Sequence, residues 1–352
     1  MTLDRLLFDA GRMAATAIAA AIGGGVANAA GIPLGFLIGA MFATAALSLF
    51  NLPVAVVPNS RQAAQGLIGI GAGLRLTPDV AERLAGLFPV MLASAFALIL
   101  AACLISLAIN RLTRLDPDTA FFMSLPGGIA EMAVLSERYG GVPGLVSIGQ
   151  FLRILFVTLT IPQIVFAFGR DGAVQPEVPA PHAEVLWLPL IVLCIAAIVL
   201  ARLLSGKRVP NAWLLSGIIA GAGAALFEWH TAVPLEGLEL AQIFIGISLG
   251  ARCTRAVFRD GYRFLPANLA GTATLVAFST ALAFIIGRAF DIDTISLVLA
   301  LAPGGIAEMS LVSGQIGADT VLVVAFHLVR VVMVLSLAVL LRRIFLPKER
   351  DG

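Results

Sequence analysis

Residues 126–132 read Pro126-Gly127-Gly128-Ile129-Ala130-Glu131-Met132, and residues 303–309 read Pro303-Gly304-Gly305-Ile306-Ala307-Glu308-Met309. Seven identities in succession, 177 residues apart, mark an internal duplication. The same spacing, without a gap, pairs Pro33 with Pro210, Gln65 with Gln242, Gly69 with Gly246, Arg75 with Arg252, Asp116 with Asp293, Ser136 with Ser313 and Arg153 with Arg330. The chain therefore divides into a first copy over 1–170, a linker over 171–184 rich in proline (Pro176, Pro179, Pro181), a second copy over 185–347 and a tail over 348–352. Within each copy the Pro-Gly-Gly triplet is the feature that decides the architecture. Proline lacks an N–H and glycine admits unusual dihedrals, so a helix entering from residue 118 should stop at Pro126 and a new one begin near Ile129.

The surrounding composition says where that break lies. Of 352 residues, 59% are hydrophobic and 12% charged, and the mean hydropathy is +0.99. A soluble domain carries about 25% charged residues. The chain is committed to membrane spans, and a large soluble domain is excluded. The net charge of +2 comes from scattered Lys and Arg without a basic stripe, which removes nucleic acid from the expected partners. Cys103, Cys194 and Cys253, with His182, His230 and His327, match no metal-ligand spacing, so neither a metal nor another cofactor is expected. The first apolar stretch resembles a signal peptide, but its repeat counterpart at 185–204 lies mid-chain, so both are expected to be retained spans.

Apolar segments fall at about 12–28, 32–50, 60–75, 84–109 and 143–168, with counterparts at 185–204, 211–227, 238–251, 264–287 and 320–341. The third of each set is short and carries Gly69 and Gly73, matched by Gly246 and Gly250, a spacing that lets helices pack closely. The PGG element is a sixth. If it enters and returns on one side, each copy has five crossings and the copies are inverted. Of the 23 Lys and Arg, Arg75, Arg83, Arg170 and Arg288 then lie outside, Arg153 and Arg330 lie in the membrane, and 17 lie inside. Lys and Arg do accumulate on the cytoplasmic side. Six parallel crossings per copy divide the same loops 10 to 11, and a broken PGG helix that crosses while 60–75 does not gives 14 and 7. The expected fold is an all-α polytopic membrane protein of two inverted repeats, each with about five transmembrane helices and a broken or re-entrant PGG helix. The linker is then extracytoplasmic, and both termini, with the tail, are cytoplasmic.

Function should concentrate at the breaks. Irregular backbone at membrane depth is tolerated only when buried in protein or lining a watery cavity, and a half-helix N-terminus there suits an anionic group. Pro126, Gly127, Gly128, Pro303, Gly304 and Gly305 are thus candidate substrate contacts. Glu131 and Glu308 fall on the first turn after each break, as caps or as carboxylates that exchange a proton or hold a cation. Arg153 and Arg330 stand about eleven residues into apolar runs, where each isolated charge would cost roughly 2.5–3.5 kcal/mol. Each either pairs with Glu131 and Glu308 or contacts an anionic substrate. Three residues earlier stand Gln150 and His327, and the histidine is the candidate for proton coupling. Gln65 and Gln242 are candidate neutral contacts, with interhelical hydrogen bonding the alternative.

With the duplicated "PGGIAEM", the "QFLR" and "HLVR" stretches at 150–153 and 327–330, and the "GIPLGFLIGA" opening at 31–40, the chain resembles the AbrB-type duplicated membrane protein family over nearly its whole length. Members of that family are labelled as regulators or as ammonia monooxygenases. The family itself looks like a distant relative of the cation:proton antiporter and anion transporter superfamily. That relationship implies inverted repeats, discontinuous helices and substrate sites near the breaks. A metal oxygenase needs clustered ligands, which three scattered histidines do not provide. Antiporters of that superfamily place acidic residues at the core, and Arg153 and Arg330 depart from simple cation exchange. The expectation is an ion-coupled secondary transporter of a small anionic or zwitterionic metabolite in a bacterial inner membrane, without enzymatic activity. Its partners are the bilayer, the substrate and a coupling ion, and a homodimer is compatible with this plan. The alternative is a non-transporting membrane sensor or regulatory subunit.

Overall fold

The computed structural model describes residues 3–169, 185–207, 209–227, 229 and 231–346. The expected linker, the whole of the tail, His182 and His230 lie outside the described residues. Within them every regular element is helical: α1 (Leu3–Ala29), α2 (Gly35–Leu49), α3 (Ser60–Gly73), α4 (Pro78–Thr113), α5 (Pro117–Ser124), α6 (Ile129–Arg138), α7 (Pro143–Gly169), α8 (Trp187–Gly206), α9 (Ala212–Leu226), α10 (Leu235–Gly250), α11 (Arg255–Gly261), α12 (Leu265–Phe290), α13 (Thr294–Leu301), α14 (Ile306–Ile316) and α15 (Thr320–Phe345). The helix α9 is α2 displaced by 177 residues at both ends, and α13 is α5 likewise. Even the unusual backbone repeats, with left-handed φ at Leu34 and Asn211 and at Arg114 and Asp291. The copies differ after the third helix. The continuous 36-residue α4 corresponds to two helices, α11 and α12, with Pro266 starting the second where Pro89 is carried inside the first.

Among the described residues, six helices are long and apolar enough to cross a membrane: α4, α7, α8, α12, α15 and α1 from Ala10. By contrast α2 and α9, at 15 residues each, extend about 22 Å at 1.5 Å per residue, short of a hydrocarbon core of about 30 Å. Two compact units divide the chain, each drawing on both copies. Unit 1 takes Met1–Ala81, Phe166–Phe258 and Ser310–Val321, and unit 2 takes Glu82–Val165, Arg259–Met309 and Leu322–Gly352.

Unit 1 is built on backbone contact between small residues. A Cβ added at Gly69 would strike the Leu214 carbonyl, and one at Gly73 the Ile218 carbonyl, so α3 lies on α9 with the two helices running in the same sense. The repeat-related contacts set Gly246 against Leu37 and Gly250 against Met41, so α10 runs alongside α2. At membrane depth apolar burial gives little preference for one helix neighbour over lipid, and close packing of this kind supplies the attraction. The α2 start is held by Leu34, whose N–H donates to Gln315 Oε1 at 3.0 Å.

In unit 2, α5 and α13 begin alike. The N-cap carboxylate of Asp116 accepts from the Thr119 N–H at 2.8 Å, and that of Asp293 from the Ser296 N–H at 2.7 Å. The α5 helix stops at Ser124, Leu125 turns to extended backbone, and α6 starts after Gly128. After α6, Gly140 takes φ +90° and the Gly141 N–H closes on the Ser136 carbonyl at 2.8 Å, a left-handed helix stop. The next residue, Val142, donates its N–H to Thr119 Oγ1 at 2.9 Å, returning the chain to the first turn of α5.

Candidate functional site

Breaking a helix at Leu125–Gly128 leaves carbonyls at the end of α5 without intrahelical partners, and the same holds for α13 at Ala302–Gly305. In an apolar interior each such group needs a donor. The helices that follow supply them. From α7, Gln150 Nε2 donates to the Phe122 and Leu125 carbonyls at 2.7 and 2.8 Å. One turn further on, Arg153 Nη1 donates to the Leu125 carbonyl at 2.7 Å and Nη2 to the Gly127 carbonyl at 3.3 Å.

From α15, His327 Nε2 meets the Leu299 carbonyl at 3.0 Å, and Arg330 donates to the carbonyls of Ala302 and Gly304 at 2.5 and 3.0 Å. Leu299, Ala302 and Gly304 are the repeat counterparts of Phe122, Leu125 and Gly127, so the duplication reproduces the hydrogen bonds as well as the residues. A cation at a helix C-terminal end also opposes the negative end of its dipole.

Two features distinguish the copies. Arg153 Nε donates at 3.1 Å to the Pro303 carbonyl, so one guanidinium holds carbonyls of both PGG breaks. Arg330 Nε is buried and lacks a hydrogen-bond partner. Conversely, Arg330 Nη2 lies 2.9 Å from His327 Nδ1, a contact that Gln150 does not make with Arg153. Guanidinium is always a donor, so Nδ1 must accept and carries no proton, and Nε2–H donates to Leu299. The histidine tautomer is thereby fixed. Gln150 Oε1 and Thr158 Oγ1, on α7, are two further buried polar atoms without a hydrogen-bond partner.

Glu131 and Glu308 lie on the amide side of the breaks, on the first turns of α6 and α14. Each carboxylate folds back over the glycine before its helix, so that a Cβ added at Gly128 would meet Glu131 and one at Gly305 would meet Glu308. A carboxylate there faces the positive end of the half-helix. Glu308 is buried at 1% exposure, whereas Glu131 is half-buried. The two guanidiniums donate to backbone carbonyls, and Arg330 also to His327.

The glycines of the motif serve a different purpose from the expected one. Among the described residues the glycines with positive φ are Gly31, Gly140 and Gly317. Gly127, Gly128, Gly304 and Gly305 are needed for room: a Cβ at Gly127 would crowd Met132, and one at Gly304 would lie 2.9 Å from Val157 Cγ1 on α7. Pro126 and Pro303 are buried at the break. Gln65, half-buried on α3, and Gln242, buried on α10, belong to unit 1, whereas the motif's arginines, glutamates and His327 belong to unit 2.

The repeat-based reading overlooks an ion pair that is not duplicated. Arg342 on α15 grips Asp118 on α5 with Nε and Nη2 at 2.6 and 2.8 Å, and its guanidinium lies over the Tyr139 ring. The positions 177 residues away are Ile295 and Val165, so comparing the copies passes over both. An acid at the start of a broken helix is the signal that points to it.

These observations describe an all-helical protein of duplicated sequence with several helices fit to span a membrane, in which buried arginines hold the carbonyls at two Pro-Gly-Gly breaks. The family model described as "Transition state regulatory protein AbrB" matches residues 36–346, and the chain belongs to that AbrB family. It is 29% identical over 342 residues to the uncharacterized protein YhjN of Bacillus subtilis (strain 168), covering 90% of this chain and 88% of that one. It is 25% identical over 310 residues to a protein of Escherichia coli (strain K12) named as a regulator, AbrB, covering 86% and 88%. No solved structure matches.

Proposed function

We propose that the protein is an ion-coupled secondary transporter that moves a small anionic or zwitterionic metabolite by alternating access between two inverted repeats. Helix directions in unit 1 support the inversion. Arg61 at the start of α3 reaches Ser248 near the end of α10 at 3.5 Å, so these repeat counterparts run oppositely. Since α9 follows α3 and α10 follows α2, the pair α2 and α9 is opposed as well. The return of Val142 to Thr119 supports a PGG element that enters and leaves on one side. Five crossings per copy, counting the short α2, α3, α9 and α10 as crossings packed within protein, then put both termini in the cytoplasm of a bacterial inner membrane, on the side rich in Lys and Arg.

The observation that carries the transport reading is the Arg153 guanidinium, which holds carbonyls of both breaks at once. Two half-helix N-termini, two arginines and two glutamates, with Pro126, Pro303 and the paired glycines giving backbone access, make a pseudosymmetric site for an anion or zwitterion. Its asymmetry suits alternating access. Arg153 Nε has the Pro303 carbonyl and Arg330 Nε lacks a hydrogen-bond partner; in the mirrored state Arg330 would take the Pro126 carbonyl and Arg153 would release Pro303.

His327 is the coupling residue in this scheme. Protonating Nδ1 removes the acceptor from Arg330 Nη2 and sets two cations side by side, which frees that guanidinium for an anionic substrate. Glu131 and Glu308 complete the set of candidate proton carriers.

The regulator name of the Escherichia coli relative favours a second reading, a membrane sensor without transport. Thermal stability of the purified full chain against a panel of small carboxylates, amino acids and phosphates separates the two, followed by uptake of the best ligand into proteoliposomes. A ligand that stabilises wild type more than Arg330→Gln, and accumulates when a proton gradient is imposed, is the expected result. A folded protein that binds nothing on the panel and supports no uptake favours the sensor.

A further inference from the structure

Unit 1 holds an open cavity of about 620 Å³ that the transport reading does not use. Its polar lining is Arg12, Ser48, Asn51 and Thr254, and its apolar lining includes Leu52 and Pro53. It lies at the end of unit 1 where α2 and α10 terminate and α3 begins, so it opens at the ends of apolar helices, at interfacial depth. Arg12 is half-buried in the wall, with Nη2 donating to the Val54 carbonyl at 3.2 Å. Arg255, exposed at the start of α11, donates its Nε to the Leu49 carbonyl at 2.7 Å, one residue from the lining Ser48.

We infer that this cavity seats the phosphate of an anionic phospholipid headgroup. The carbonyl ends of α2 and α10 oppose an anion, but Arg255 takes the Leu49 carbonyl and Ser48 Oγ donates to the Ala251 carbonyl, which offsets part of their charge. Arg12 in the wall and Arg255 at the rim bring two guanidiniums to this end, with the Asn51 amide and the Thr254 hydroxyl beside them. Phe50 and Leu52, 73% and 51% exposed, offer acyl and glycerol carbons an apolar surface beside the cavity that a free phosphate ion could not use. Basic pockets between transmembrane helices bind anionic headgroups on this chemistry.

Native mass spectrometry of the full chain in detergent tests the site, with phosphatidylglycerol, phosphatidylcholine, inorganic phosphate and glycerol 3-phosphate as probes. Phosphatidylglycerol should be retained in preference to phosphatidylcholine. Arg12→Gln and Arg255→Gln should each weaken its retention about fivefold, from the usual contribution of one cation near a lipid surface. Arg75→Gln, after the far end of α3, should leave it unchanged. Equal retention of the two lipids, or unchanged retention in both cavity variants, overturns the proposal. Displacement of the lipid by glycerol 3-phosphate or phosphate at millimolar concentration overturns the lipid assignment in favour of a soluble anion. None of these outcomes depends on whether the protein transports.

Discussion

At the scale of single residues, the exchange of Gln150 for His327 is the difference between the copies that carries the most chemistry. A glutamine at 327 can donate to the Leu299 carbonyl as Gln150 does to Phe122, but it has no ring nitrogen that could take up a proton. His327→Gln should therefore fold with a melting temperature close to wild type while uptake loses its pH dependence, measured as a pH profile in proteoliposomes. Arg153→Lys is the opposite case. One ammonium cannot span the Leu125, Gly127 and Pro303 carbonyls, and each left unpaired costs about 1–3 kcal/mol, so thermal unfolding should begin several degrees earlier. The motif glycines provide an internal comparison. At Gly305 an added Cβ meets the buried Glu308 carboxylate, whereas at Gly128 it meets the half-buried Glu131, which has room to move. Gly305→Ala should cost about 1–3 kcal/mol in thermal or denaturant unfolding and Gly128→Ala less. The residues of this site were legible in the sequence because both copies carry them. Their partners were not, since backbone carbonyls leave no trace in residue identity, and only the fold decides which carbonyls each guanidinium reaches.

Among the elements, the duplication announces helix positions well: the apolar segments read at 32–50 and 211–227 contain α2 and α9, and the break read at each Pro-Gly-Gly triplet separates α5 from α6 and α13 from α14. The small residues at 69, 73, 246 and 250 announce close packing, but which helix each one meets depends on tertiary contacts that periodicity does not encode. Here α3 takes α9 and α10 takes α2, each from the other copy. This makes the α3 and α9 interface intolerant of side chains. Gly73→Leu should prevent stable assembly or lower the melting temperature by far more than any surface change, because its Cβ already meets the Ile218 carbonyl. Gly223→Ala on α9, where an added Cβ meets nothing within 4 Å, should leave stability unchanged or slightly raised. Size-exclusion profiles and thermal unfolding in detergent distinguish these outcomes. The Asp118–Arg342 pair escaped the repeat comparison for the reason that makes it informative: it joins one residue of each copy, has no repeat counterpart, and ties α15 to the start of one broken helix.

For the whole molecule, the sequence carried the two-copy plan and, through its charges, a preference for inversion. The central claim is that two PGG elements dip from opposite faces of the membrane and meet at Arg153. Sidedness of labelling tests it directly. Single cysteines at Leu115 and Glu137 bracket the first element, and cysteines at Ile292 and Gly314 bracket the second at the matching repeat positions. Cys103 and Cys194 are replaced by alanine beforehand, and Cys253 is a weak background because burial pushes its thiol up to about 11. With an impermeant thiol reagent on right-side-out and inverted vesicles, 115 and 137 should label from the cytoplasmic face, and 292 and 314 from the opposite one. Labelling of 115 and 137 from opposite faces, or of 137 and 314 from the same face, would contradict the account.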